Sequence, residues 1–195
     1  MINPYFLSGL ALIPIITIHE LGHLFAAKAV GCKVDVFSIG FGRPIFSFHY
    51  KNTRYNFGWL LLGGYIKVKA ELEPSEESDA FSNLPFKKKA LLISAGCINN
   101  IITGFGFILL GSGLKNYTLF YFGYLSIIMG ILNLLPLAPC LDGGYLTYLP
   151  FFLKMFGKEK GWKIFRKSSR ISFVILMGIN LACIPWIIWM IMKGI

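Results

Sequence analysis

His19-Glu20-Leu21-Gly22-His23 lies inside an apolar stretch that runs from about Tyr5 to Val30 and is long enough to cross a bilayer. An ionisable residue at the centre of a membrane costs at least about 2.5 kcal/mol on insertion scales, so three together need compensation. A metal ion provides it. Residues on a helix step by about 100°, which sets His23 about 40° and Glu20 about 100° from His19, all on one side. Two imidazoles four residues apart can share one zinc ion, leaving the adjacent carboxylate to act on a water molecule. A satisfied core histidine accounts for one imidazole but not for three ionisable groups on one face. The pattern predicts one zinc per chain, with metal ligands His19 and His23 and catalytic Glu20.

Working outward, the composition fits an all-α polytopic membrane protein. Apolar residues make up 55% and charged residues only 14%, against roughly 25% charged in ordinary globular chains. Four stretches reach spanning length, at about 5–30, 90–114, 117–136 and 171–192. The first lacks a basic leading region and exceeds the apolar length of a secretory signal, so it reads as a span and not as a cleaved leader. Residues 31–89 hold nine Lys/Arg and residues 139–170 hold seven. The positive-inside rule places both connections in the cytoplasm and both termini outside, as in a multi-pass protein of a bacterial cytoplasmic membrane. The net charge of +10 is therefore a topology signal, and no nucleic-acid partner is expected. Cys32, Cys97, Cys140 and Cys183 form no Cys-x-x-Cys pair, and no disulfide framework is implied. Cys140, two residues before Asp142, reads as a small apolar filler rather than a ligand.

Between the first two spans, residues 34–68 read as a membrane-associated β-hairpin. Gly40, Gly42 and Pro44 punctuate its first half, Lys51-Asn52-Thr53-Arg54 forms a polar turn, and Tyr55 to Lys67 returns as a second strand broken by Gly63-Gly64. His49 is isolated and ordinary. The acidic, serine-containing stretch from Glu71 to Asp79 reads as a solvated loop without chemistry. Pro136 and Pro139 end the third span ahead of Asp142-Gly143-Gly144. Tyr145 to Lys167 then reads as a helix leading to a basic, interfacial stretch anchored by Trp162 and Phe165. No internal repeat or separate soluble domain is evident, so residues 1–195 read as one membrane-embedded domain.

Two histidines leave a catalytic zinc one protein ligand short. Outside Glu20, the one carboxylate at membrane depth is Asp142, because Asp35 and Glu159 lie in charged connections. The first and third spans both run inward, so their late parts bring His19, His23 and Asp142 toward the same, cytoplasmic side. Zinc there would acidify water and polarise a scissile carbonyl, with Glu20 shuttling the proton to the leaving amine. An oxyanion needs donors, and the intramembrane Asn100 and Asn133 are candidates; interhelical hydrogen bonding is the alternative task for either. A substrate helix shields its own peptide bonds. A hairpin edge along Tyr55 to Trp59 is expected to draw it out by strand addition.

The chain resembles the site-2 protease (M50-type) intramembrane zinc metalloproteases from about residue 10 to 190. His19-Glu20-Leu21-Gly22-His23 is similar to the zinc-helix motif, and Gly40-Phe41-Gly42 with Leu62-Gly63-Gly64-Tyr65 to the membrane-associated hairpin. Phe81-Ser82-Asn83 through Lys89 resembles the approach to the second core helix. Ala95-Gly96-Cys97-Ile98-Asn99-Asn100 is similar to the family's Gly-Pro-x-x-Asn, and Asn133-Leu134-Leu135-Pro136 with Leu141-Asp142-Gly143-Gly144 to its third-ligand motif. The resemblance implies zinc on His19, His23 and Asp142, Glu20 as general base, and a membrane-anchored substrate. Two departures stand out: Cys97 occupies the usual proline position, and one extra residue separates Asn133 from Asp142. The connection at 111–116 is too short for a PDZ domain, and neither PDZ nor CBS domains are expected, so control would come from membrane partners, prior cleavage or the core.

The function expected is zinc-dependent intramembrane endopeptidase activity, in regulated intramembrane proteolysis, peptide maturation or signal-peptide remnant clearance. The alternative is a non-catalytic member of the same fold that binds membrane segments, against which an intact Glu20 argues. A metal transporter would spread polar groups along a path, whereas here they cluster at one depth.

Overall fold

The computed structural model describes residues 4–70 and 79–193, so most of the acidic loop lies outside the described residues. The chain is mostly helical with one antiparallel hairpin. Its elements are α1 (Pro4–Ala29), β1 (Val34–Tyr50), β2 (Thr53–Val68), α2 (Phe86–Gly113), α3 (Tyr117–Leu134), α4 (Asp142–Phe156) and α5 (Lys158–Lys193), with a 3-10 turn at Phe81–Asn83.

Among the described residues, α2 and α3 are long and apolar enough to cross a membrane. Ile102, Phe105, Leu109, Tyr117 and Tyr121 stand exposed on them, an outward apolar surface that water does not favour. Helices α1 and α5, of 26 and 36 residues, lie where the first and fourth spans are expected. The side chains of residues 4–11 and most of those at 180–193 lie outside the description. Helix α3 stops at Leu134 because Pro136 excludes the helical region for the residue before it; Leu135 is extended, at φ −71° and ψ 142°.

The helix expected across Tyr145 to Lys167 is broken. Gly157, at φ +76° and ψ 170°, adopts a backbone that side-chain-bearing residues disfavour, which separates α4 from α5. The corner folds the start of α5 against α4, so Trp162 and Phe165 are buried and not interfacial anchors. Phe165 packs edge-on against Tyr145 with ring centres 4.8 Å apart. These residues join Leu24, Phe37, Val68, Phe81, Leu92 and Leu149 in one apolar core. That core gathers the end of α1, the base of the hairpin and the start of α2.

The two strands are long and bent, and they fold over each other. One antiparallel ladder pairs Val34 with Val68, Phe37 with Ile66 and Ile39 with Gly64, and another pairs Phe46 with Phe57, Phe48 with Tyr55 and Tyr50 with Thr53. A third set pairs Val36 with Arg54, Phe37 with Tyr55, Ser38 with Asn56 and Ile39 with Phe57, with both numbers rising together. Four segments therefore lie side by side in the order 64–68, 34–39, 54–57, 46–50. The bend in β1 falls at Gly40 and Gly42, at φ +85° and +81°, which only glycine adopts without strain. This arrangement corrects the expected edge. Segment 54–57 is paired on both sides; among the described residues the sides with no strand partner are the outer ones of 64–68 and 46–50.

Candidate metal centre

Helix geometry brings His19 and His23 together on the inner face of α1, and both are buried. The loop after α3 turns the chain back so that Asp142 opens α4 beside them. Its tightness explains the two glycines that follow. A Cβ on Gly143 would collide with the Leu134 carbonyl, and one on Gly144 with the Ala138 carbonyl.

Asp142 Oδ2 lies 3.1 Å from His19 Nε2 and 3.2 Å from His23 Nε2, and the two Nε2 atoms are 3.1 Å apart. The three atoms form a nearly equilateral triangle. Zinc bonds of about 2.0–2.1 Å at the tetrahedral angle separate ligand atoms by about 3.3–3.4 Å, so the donor set fits a zinc ion by type and spacing. Among the described His, Cys, Asp and Glu residues, these three converge within 4.8 Å. Three protein donors leave a fourth position for water or substrate, the pattern of catalytic rather than structural zinc.

The other nitrogen of His23 has a backbone partner: Nδ1–H donates to the Leu92 carbonyl at 2.9 Å. A carbonyl only accepts, so the proton sits on Nδ1 and the Nε2 lone pair is free for a metal. Helix α2 comes this close because its packing residues are small. Gly22 of α1 lies against Ala95 and Gly96, and a Cβ on Gly96 would collide with His23 Nε2 and crowd His19 Cε1. Asn99 Nδ2 donates to the Ile18 carbonyl at 2.5 Å, tying the two helices together one residue before His19.

Glu20 is buried and lines, with His19, His23 and Asp142, a cavity of about 640 Å³. Phe41 and Leu62 to Ile66 of the hairpin, Met129 and Asn133 of α3, and Phe173 and Met177 of α5 complete its wall. Gly64 of β2 packs directly on Glu20: a Cβ there would lie 2.7 Å from Glu20 Cγ. Of the two edge segments, 64–68 thus passes beside the carboxylate and lines the same cavity as the triangle.

Of the two asparagines singled out by sequence, Asn133 faces this cavity and Asn100 does not line it. Asn100 is fully buried with its amide beside His19. Cys140 lines the cavity but is not one of the three converging groups. His49 pairs with Arg54 near the hairpin turn, remote from the site in the sheet. Sequence reasoning assigned no role to Cys97, whose thiol reaches the Asp142 carboxylate; its occupation of an expected proline position was the available signal.

Comparison with known proteins agrees with the motifs. The chain matches proteins named "Putative zinc metalloprotease" from Campylobacter jejuni, at 38% identity over 130 residues, covering 64% of this chain and 30% of that protein. One from Borreliella burgdorferi is 42% identical over 108 residues, covering 50% and 25%, and one from Chlamydia pneumoniae is 32% identical over 130 residues, covering 58% and 21%. The match thus spans less than a third of each of these relatives. The sequence model of peptidase family M50 matches residues 7–117, more than half of the chain and including the His-Glu pentad. By that match the chain belongs to peptidase family M50.

Proposed function

We propose that this protein is a zinc-dependent intramembrane endopeptidase that hydrolyses peptide bonds in or near transmembrane segments of membrane-anchored substrates. The observation that carries the reading is a three-donor triangle beside a buried carboxylate, in a cavity walled by apolar helices and a strand. His19, His23 and Asp142 would hold the zinc, which when bound supplies Lewis acidity and lowers the pKa of water. Glu20 is suited to accept a proton from the attacking water and pass it to the leaving amide nitrogen. Asn133 lines the cavity and would donate to the developing oxyanion.

The substrate must be unwound before its carbonyl is accessible, since a helix in lipid keeps every backbone group paired. Strand addition to the outer side of segment 64–68 would replace those hydrogen bonds while laying the chain beside Glu20. The far end of the hairpin exposes Ile45, Phe46, Phe48, Tyr50 and Trp59, a surface suited to lipid or to a membrane segment. Within this reading α1, α2, α3 and α5 cross the membrane, both termini lie outside, and the site lies toward the cytoplasmic side. The 1–195 chain acts as one domain in the bacterial cytoplasmic membrane, and its partners are the substrate, the bilayer and regulatory membrane proteins.

Glu20→Gln tests the activity. Membrane peptides from cells carrying the wild-type chain should include fragments ending within apolar segments, and these should vanish in the variant while bound zinc is retained. An identical set of fragments from both would refute proteolysis and favour a segment-binding role.

A further inference from the structure

One face of α2 touches all three donors of the triangle from outside. Leu92, Gly96 and Asn100 recur at four-residue intervals, and Cys97 lies on the same side. The Leu92 carbonyl takes the outer proton of His23. Gly96 leaves room for both rings. Asn100 and Cys97 contact the two remaining donors, His19 and Asp142.

Asn100 is completely buried, with its amide nitrogen 3.4 Å from His19 Nδ1 and its Oδ1 without a hydrogen-bond partner. A buried, unpaired acceptor is costly. Rotation of the amide by half a turn exchanges oxygen and nitrogen at almost no steric cost, and it offers Oδ1 to His19 Nδ1–H. That one rotation satisfies the orphaned oxygen and fixes the tautomer that frees His19 Nε2 for a metal. The backbone at Asn100 is itself pinned, since Ser126 Oγ of α3 donates to its carbonyl at 2.9 Å.

Cys97 is also completely buried, and its Sγ–H donates to Asp142 Oδ2 at 3.2 Å. It does not belong to the group whose donor atoms all converge within 4.8 Å, which sets its sulfur outside the triangle. The thiol holds the carboxylate from behind.

We propose that Cys97 and Asn100 are positioning residues for the metal, Cys97 orienting the Asp142 carboxylate and Asn100 orienting His19, so that α2 supplies an outer hydrogen bond to every donor of the triangle. This rests on the metal reading of His19, His23 and Asp142 and goes beyond it in giving the two α2 side chains separate tasks: Asn100 acts as an acceptor, and Cys97 as a donor.

The test measures Zn²⁺ dissociation constants of the full chain, purified in detergent, by competition with a chromogenic chelator, and records the spectrum of the Co²⁺-loaded protein. Cys97→Ala and Asn100→Ala should each weaken Zn²⁺ binding by about 10- to 100-fold, the usual cost of losing an outer partner. Cys97→Ser keeps a donor and Asn100→Asp keeps an acceptor, and both should stay within about threefold of wild type. Alanine variants that bind as tightly as wild type would overturn the proposal. So would serine and aspartate variants as weak as the alanines, which would mark the positions as mere packing. A thiolate-to-cobalt charge-transfer band in wild type, lost in Cys97→Ser, would also overturn it by making Cys97 a direct ligand. A wild-type chain that binds no Zn²⁺ would remove the metal reading itself, and the proposal with it; intact wild-type binding with unaffected variants would remove the proposal alone.

Discussion

At the scale of single residues, the site depends as much on missing side chains as on present ones. Gly96 is the sharpest case, because any Cβ there would enter the space of the His23 and His19 rings. Gly96→Ala is expected to leave a helical, membrane-inserted chain whose zinc affinity falls by at least about tenfold, a loss comparable with removing an outer partner. Circular dichroism with zinc titration checks this, and unchanged affinity would show that the rings are not confined by α2. The convergence of His19, His23 and Asp142 beside Glu20 was legible in the sequence because charge inside an apolar stretch is conspicuous and demands a partner. Cys97 and Asn100 were not legible as outer partners. Their contacts depend on the side of α2 that meets α1, and that is set by the Gly22–Gly96 approach rather than by any spacing along the chain.

At the scale of elements, the hairpin shows where pattern reading stops. Two strands joined by a polar turn were expected, and β1 and β2 occupy that region. The double pairing of segment 54–57 was not foreseen, because alternation of apolar and polar residues reports which face a strand buries and not which neighbours flank it. The consequence is testable with proline, which removes a backbone donor. Along a strand the backbone N–H groups point alternately to either side, so one of Tyr65→Pro and Ile66→Pro removes an outward donor from the free edge. That variant should lose cleavage while keeping its zinc. Asn56→Pro instead breaks an interior ladder and should destabilise the hairpin as a whole, seen as increased protease sensitivity. Full cleavage by both edge variants would exclude strand addition at 64–68. The break between α4 and α5 was equally hidden: Gly157 in the sequence looks like a tolerated helix glycine, and only its backbone angles disclose the corner that buries Trp162 and Phe165.

At the scale of the whole molecule, the four crossings proposed above and the distribution of Lys and Arg predict a topology that single reporter cysteines can read. Reporters are placed in a chain whose native cysteines other than Cys97 are replaced. With a membrane-impermeant thiol reagent on intact cells, a cysteine at Lys115, in the short α2–α3 connection, should label, whereas one at Lys158, at the α4–α5 corner, should label only after the membrane is opened. The reverse result would invert the orientation and move the site to the outer side. The account as a whole, from the cost of burying three ionisable groups to the peptide bond they are proposed to cut, requires a single cation held jointly by the two histidines of α1 and by Asp142 at the start of α4. Metal analysis of the purified full chain tests this most directly. The wild-type protein is predicted to carry one zinc per chain, and His19→Ala and Asp142→Ala are each predicted to carry almost none. Wild type without zinc, or full zinc content in Asp142→Ala, would contradict it.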